Sequence, residues 1–591
     1  MKGVSCGLWI WSRARRLAIT VAMVAHFLVS VKDAGKDNNN DSPTNGKNII
    51  SNEQVCSSLI SGTIANTWEK LSPDILKASY WPKEFSSNVN FTHWIDDLFF
   101  KYYHIHQLRR SSLYPADPAA TKELLRIISN RINYLNNETS SFHPPLHILV
   151  TGGSVTLGTK CGTNPVGIPA PGGKEFWVNT PCTWASRLQN LFNEALFKNK
   201  SVVKVTNIAA GGASSEIAKV VLEYQLMTEE VKKVQPHVVI WSHAPNDAQE
   251  SDMNAIFYTH LPGFVNAARN LNLCDEQLPM VIMLEDFYGY EDYSRVNMLS
   301  GYLSKLSSWY GLMNVNQANV INHELWSNYD NSTRISYILG SEFELHSGMG
   351  NHVGVAWTLF FNFLSAFTDS CTDGLLGVGI PASSMPLKFL GPYDESGSYR
   401  MIQSTWQTNQ DRARNHCSKQ QMSKERTEPC TYAFMANAMS GVNNVAELQA
   451  KMAEVLTASD GWDASGFPKK QPKIGWYASK HGASFSLRIE VKSDTNFLTI
   501  MSMKSYGPNF VDTILNISVQ IVRKGDNQQA LASSSASYEI TGYHETRTSI
   551  HVPHKFELPG GGARAGDSIL LDGKLTSGAY FKINGLALCS F

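Results

Sequence analysis

The sequence predicts a three-layer α/β/α domain built on a parallel sheet, followed by a C-terminal β-sandwich. Two observations carry that prediction. Between about residues 146 and 371, short continuous apolar runs alternate with amphipathic helical segments, the pattern of a parallel sheet covered on both faces. Beyond about residue 472 the period changes to two: Phe485, Leu487, Ile489 and Val491 alternate with polar neighbours, and Ile517, Val519 and Ile521 do so again, as half-buried antiparallel strands do. At 591 residues the chain exceeds what one core usually supports, so more than one folded unit is expected.

The elements follow in order. Lys2, Arg13, Arg15 and Arg16 precede the apolar stretch Leu17 to Val31, and a polar run follows, the layout of a secretory signal. The stretch is shorter than the ~20 residues of a membrane span and no A-x-A-like cleavage site follows it. A cleaved signal peptide and a signal anchor therefore both remain open for 1–31, with 32–50 a polar linker. Either places the rest of the chain across the membrane, in the secretory pathway: secreted, lumenal, or anchored with type II topology. Residues 51–145 read as a largely helical region packing on the α/β domain. The α/β domain itself spans 146–375, with strands at HILV (147–150), VVKVTNI (202–208), HVVIW (237–241) and MVIMLE (280–285). Residues 376–471 are polar and read as a linker or insertion of mixed structure, and 472–591 as the sandwich.

Composition narrows the function. Lysine plus arginine and aspartate plus glutamate both number 51, which removes the electrostatic footprint of a nucleic-acid binder. Sequons at Asn40, Asn90, Asn137, Asn199, Asn331 and Asn516 suit a glycosylated, extracytoplasmic protein. Outside the leader, Cys56, Cys161, Cys182, Cys274, Cys371, Cys417, Cys430 and Cys589 form an even set able to make four disulfides. No C-x-x-C pair occurs, and His104 and His106 lack a third ligand in view, so no metal is assigned. The glycines of GGSVTLG lack the lysine of a phosphate-binding loop. Trp462, Trp476 and Tyr477 read as sandwich core ahead of a sugar-stacking platform.

Chemistry concentrates where the apolar runs end. Such ends carry the sites of open α/β sheets. After the first run comes TGGSVTLG, with Ser154 among glycines; after the second, NIAAGGASSE, with Gly211 and Gly212; after the third, APNDAQ, with Asn246 and Asp247. Far downstream, HSGMGNH supplies His346 and His352 ahead of an apolar helix. A serine hydroxyl attacks an ester only if a base takes its proton and donors await the oxyanion. Glycines, an amide and a histidine are residues able to meet those needs.

In these four blocks, taken in this order, the chain resembles the SGNH hydrolases, also called the GDSL lipase/esterase family, over about 146–371. The resemblance implies Ser154 as nucleophile and His346 as general base, preferred to His352 because a second histidine often lies six residues after the catalytic one. It also implies an oxyanion hole of the Ser154 and Gly212 backbone N–H groups and the Asn246 side chain, with neighbouring Gly211 an open alternative to Gly212. Three positions depart from the family pattern. Gly153 stands for the aspartate of the serine block, Ala244 for the first glycine of G-x-N-D, and Phe343 for the aspartate that orients the histidine. Glu342 and Glu344 are the candidate orienting acids, and a backbone carbonyl is the alternative. The implied activity is serine ester hydrolysis without a cofactor, on an acylated glycan, with the acetyl ester favoured. Two rivals stay open: an O-acyltransferase acting on sugars, and a glycan-binding protein that has lost catalysis.

Overall fold

The computed structural model describes residues 89–136, 141–163, 181–197, 200–233, 235–250, 252–272, 278–286, 293–321, 337–340, 346–375, 430–436, 442, 444–466, 474–524, 535–545 and 549–590. These lie within one compact unit, Ile50–Phe591. The expected leader and linker (1–50), the candidate acids Glu342 and Glu344, the sequons at Asn40, Asn137, Asn199 and Asn331, and Cys56, Cys274 and Cys417 lie outside the described residues.

The principal described helices are α1 (Val89–Asp97), α2 (Pro118–Asn136), α3 (Ser154–Leu157), α4 (Trp184–Asn190), α5 (Ser215–Glu223), α6 (Ala244–Asp247), α7 (Leu261–Arg269), α8 (Tyr293–Tyr310), α9 (Met349–Leu375) and α10 (Val445–Ala453). The first sheet contains β1 (Ser112–Tyr114), β2 (Leu146–Gly152), β3 (Val203–Asn207), β4 (Val238–Ser242), β5 (Met280–Glu285) and β6 (Met313–Asn316). Its spatial order is β1-β6-β5-β4-β2-β3. Strands β2 to β6 are parallel, but β1 is antiparallel at the edge. The sheet is therefore mixed, correcting the expected all-parallel one: the three residues of β1 sit within a stretch read as helical. They are too few to display a period.

Both faces of this sheet are covered, which is why its strands read as unbroken apolar runs. Ile148, Val150, Ile240, Ile282 and Leu284 point into one core with residues of α1, α2, α4 and α9. Leu149, Val239, Trp241, Val281 and Met283 point into the other with α5, α7 and α8. The layers are α/β/α.

The second body has strands β7 (Cys430–Met435), β8 (Leu456–Asp460), β9 (Trp462–Gly466), β10 (Ile474–Ala478), β11 (Ser484–Glu490), β12 (Phe497–Lys504), β13 (Ile514–Val522), β14 (Ser535–Thr541), β15 (Ile550–Glu557), β16 (Ser568–Ser577) and β17 (Phe581–Cys589). One sheet runs β15-β12-β17-β10-β9, with β7 also paired to β17, and the other runs β14-β13-β16-β11-β8. Trp462, Trp476 and Tyr477 are buried, and the two tryptophans belong to the core between the sheets. The stretch expected to be a linker up to 471 supplies β7, α10, β8 and β9, so among the described residues the sandwich starts at Cys430. The disulfide Cys430–Cys589 joins its first and last described strands.

The sandwich is packed onto the α/β domain. Cys430, Met435, Met501, Ala587 and Cys589 belong to the same apolar core as α5 and α7. Tyr224 Oη and Thr499 Oγ1 bond across the junction at 3.1 Å. At roughly 1.5–3 kcal/mol for each large apolar side chain fully buried, a shared core of this kind holds the two bodies as one. No described helix is long and apolar enough to cross a membrane.

Candidate active site

Strand β2 lies between β3 and β4, so the segments of Ser154, Gly212 and Asn246 emerge side by side at the carboxyl end of the sheet. Strand β2 ends at Gly152, Gly153 is the cap, and Ser154 opens the one-turn helix α3, which closes at Gly158 with φ 109°. The first N–H groups of a helix have no acceptor within it, so that of Ser154 is free of the ladder.

The glycines before the serine have a definite reason. A Cβ on Gly152 would overlap the Thr156 side chain, and one on Gly153 would overlap the Asn246 carboxamide oxygen. The neighbouring groups fasten the turn. Gly153 N–H donates to the Ser242 carbonyl at 3.3 Å, Thr156 Oγ1 donates to Ser242 Oγ at 2.8 Å, and Asn207 Nδ2 donates to the Thr156 carbonyl at 2.8 Å. Ala210 N–H reaches the Gly152 carbonyl at 3.0 Å. Asn207 and Ser242 thus hold the serine turn from either side.

The histidine arrives from 192 residues away. Met349 N–H, at the start of α9, donates to the Thr163 carbonyl at 2.7 Å. Gly348 packs so tightly on the carbonyl oxygens of Thr163 and Gly340 that a Cβ would stand 2.5 Å from each. The disulfide Cys161–Cys182 ties the segment after Ser154 to the start of α4, and Trp184 N–H of α4 donates to His352 Nδ1 at 3.3 Å. The outcome is that Ser154 Oγ lies 2.7 Å from His346 Nε2, both residues half-buried. His352 is wholly buried; burial, reinforced by Arg187, pushes it down to about 3, so it serves as a neutral ring inside the packing.

The glycine and asparagine segments are bound to each other. Asp247 accepts Ser215 N–H at 2.8 Å and the Ser215 hydroxyl on its other oxygen, while Trp241 Nε1 donates to Ser215 Oγ at 2.6 Å. Burial lifts the Asp247 carboxyl to about 8 against these hydrogen bonds. His243, pushed down to about 4 by burial, is neutral and its Nδ1 meets the Ala213 carbonyl at 2.8 Å. Gly212 is in the left-handed region at φ 78°. Its carbonyl accepts the His551 N–H of β15 at 3.1 Å, and a Cβ there would stand 2.5 Å from the Ser549 carbonyl. The sandwich therefore borders this loop directly.

Sequence reasoning did not single out Asn207, Ser242, His243, His551 or Ser549. Polar residues closing a buried strand, as Asn207 and Ser242 do, were the available signal; the approach of β15 has none. Nor did it single out Glu285 and Asp286, buried at the end of β5, each raised to about 7 by burial. His104 and His106 form a local cap, His106 N–H donating to His104 Nδ1 at 3.2 Å, and among the described residues no three His, Cys, Asp or Glu side chains are grouped to hold a metal.

No family model matches the chain, and no curated protein matches it by sequence. Among solved structures it is similar to a two-domain esterase active on acetylated mannans, co-crystallised with mannopentaose, at 13% identity and TM-score 0.42, over 82% of this chain and 98% of that one. It is also similar to a carbohydrate-binding module from Cellvibrio mixtus lichenase 5A in complex with cellotriose, at 13% identity and TM-score 0.16, over 27% of this chain and 98% of that one. A third likeness is to TmCBM61 in complex with β-1,4-galactotriose, at 13% identity and TM-score 0.16, over 23% and 86% of the respective chains.

Proposed function

We propose that the protein is a serine ester hydrolase acting on O-acyl, chiefly O-acetyl, groups of a glycan. The observation that carries this reading is the 2.7 Å contact between Ser154 Oγ and His346 Nε2, at the carboxyl end of β2 between β3 and β4. A hydroxyl bonded to an imidazole nitrogen is the minimal general-base pair for acyl transfer. In the proposed cycle His346 Nε2 takes the Ser154 proton as Oγ bonds to the ester carbonyl carbon. The Ser154 and Gly212 N–H groups and the Asn246 amide hold the oxyanion. The bond to the sugar oxygen then breaks, that oxygen leaving with the proton from His346. Water, giving a proton to the same nitrogen, bonds to the acyl carbon, and the bond from that carbon to Ser154 Oγ breaks as Oγ takes the proton back from His346, releasing the acid.

The glycan is favoured by the sandwich docked beside Gly212 and by the disulfides, which belong to an oxidising, extracytoplasmic compartment. The test compares acid release from p-nitrophenyl acetate and from an acetylated polysaccharide by wild type, Ser154→Ala and His346→Ala. Loss of about 10³-fold or more in both variants is expected for members of a serine–histidine pair. A folded wild type no faster than its variants overturns the reading. Acetyl-sugar product formed without free acid would redirect it to acyl transfer.

A further inference from the structure

We propose that the β-sandwich is a working part of the active site: its edge strand β15 anchors Gly212, the residue whose N–H is the oxyanion donor, through the carbonyl of the adjoining Gly212–Ala213 peptide, making His551 and Ser549 positioning residues. The inference rests on the hydrolase reading above, in which Gly212 N–H is an oxyanion donor.

Strand β15 lies at the end of its sheet. On one side it pairs with β12, His551 standing opposite Met503. An edge strand presents unpaired N–H groups on its other side, and His551 N–H donates to the Gly212 carbonyl at 3.1 Å. Two residues earlier the Ser549 carbonyl occupies the space where a Gly212 side chain would be, 2.5 Å from the Cβ position. Ser549 is held in turn, its Oγ lying 2.8 Å from Ser505 Oγ. Gly212 is thus fixed at its carbonyl and shielded at its α-carbon by one strand of the other body.

Within the loop, Ala213 N–H closes a turn across Gly211 and Gly212 onto the Ala210 carbonyl at 3.1 Å, and further supports lie on either side of Gly212. Ala210 N–H binds the Gly152 carbonyl, and Ala213 is held through its carbonyl by His243. Among these contacts only the sandwich bonds Gly212 itself, and by holding the carbonyl it restrains the left-handed backbone torsions that relate the following peptide to the Gly212 N–H. An oxyanion donor is effective only when placed in advance of the charge, and misplacement by about 1 Å can cost 10²-fold. The shared core and the Tyr224–Thr499 bond give β15 the rigidity that placement requires.

The test uses the full chain. His551→Ala keeps the N–H and removes only the ring, setting the baseline. His551→Pro removes the N–H as well; because that N–H points away from β12, the strand ladder is spared. Relative to His551→Ala, the proline variant is expected to lose about 10- to 100-fold in kcat with KM within about twofold, the signature of a weakened oxyanion hole. Equal kcat in the two variants, or a change confined to KM, overturns the proposal. Should the proline variant not fold, hydrogen exchange of wild type decides. Phosphonylation of Ser154, which seats an oxygen in the oxyanion hole, is expected to slow exchange across 549–553 at least about threefold by stiffening the Gly212 contact; unchanged exchange overturns the proposal. A wild type inert on p-nitrophenyl acetate defeats the hydrolase reading itself, whereas an active wild type with insensitive variants defeats this inference alone.

Discussion

At Gly153 the space a side chain would need is taken by the Asn246 carboxamide, so the glycine that departs from the family pattern suits this particular pocket. Gly153→Asp, which introduces the aspartate of the pattern the sequence resembles, is therefore expected to lower turnover by about 10- to 100-fold, the equivalent of an overpacking cost of ~1–3 kcal/mol expressed at the site. Steady-state kinetics beside a thermal melt would check that the loss is catalytic. Asp247 illustrates a different residue-level constraint. Burial raises its folded pKa to about 8, above the ~3.9 of an exposed aspartate, so the folded state holds the proton more tightly. Its contribution to stability is complete below pH ~4 and is lost as pH rises through about 8. Asp247→Asn keeps an acceptor for Ser215 N–H and cannot ionise, so it should flatten the fall in melting temperature between pH 6 and 8.5, measured against wild type. A steeper fall would show that the carboxylate is welcome there.

Among elements, the one-turn helix α3 is too short to hold itself in place, since an isolated turn spends more order than it gains in hydrogen bonds. Its position depends on Asn207 and Ser242 from the flanking strands. Asn207→Ala is expected to cost about 1–2 kcal/mol in denaturant unfolding, through the Thr156 carbonyl left unsatisfied, and to reduce turnover several-fold. An effect on stability without one on turnover would separate the turn's integrity from its aim. How legible each element was in the sequence follows from its surroundings. Strand β11, exposed on one face, alternates buried and open residues and declared its period. Strand β7 did not, because Tyr432 and Phe434 enter the sandwich core while Cys430 and Met435 enter the core shared with the helices; both faces are covered and the alternation vanishes. Strand β6, four residues of MNVN, is too brief to register. The four site blocks could be read because each is local, three following a strand end and the histidine block preceding the apolar helix α9, whereas the order β4-β2-β3 and the approach of β15 arise from tertiary packing that no local pattern encodes.

At the scale of the molecule, the continuity of the core between α5, α7 and the β7/β17 sheet predicts that the two bodies melt together. Calorimetry should give one cooperative transition with calorimetric and van't Hoff enthalpies in agreement; two resolved transitions would refute it. Replacing Cys430 and Cys589 together by serine opens a link spanning 159 residues and is expected to lower stability by about 5 kcal/mol, read as a shift of that single transition and not as the separation of two. Strand β17 also bears on how the protein is made. It pairs with β7, β10 and β12, lies in the middle of its sheet, and emerges from the ribosome after every other described strand. Until it is threaded in, β12 lacks its inner neighbour and β15 has no settled seat beside the Gly212 loop. A nascent chain would thus carry Ser154 and His346 before β15 is seated beside Gly212, and on the proposed function its activity is expected only once β17 is in place.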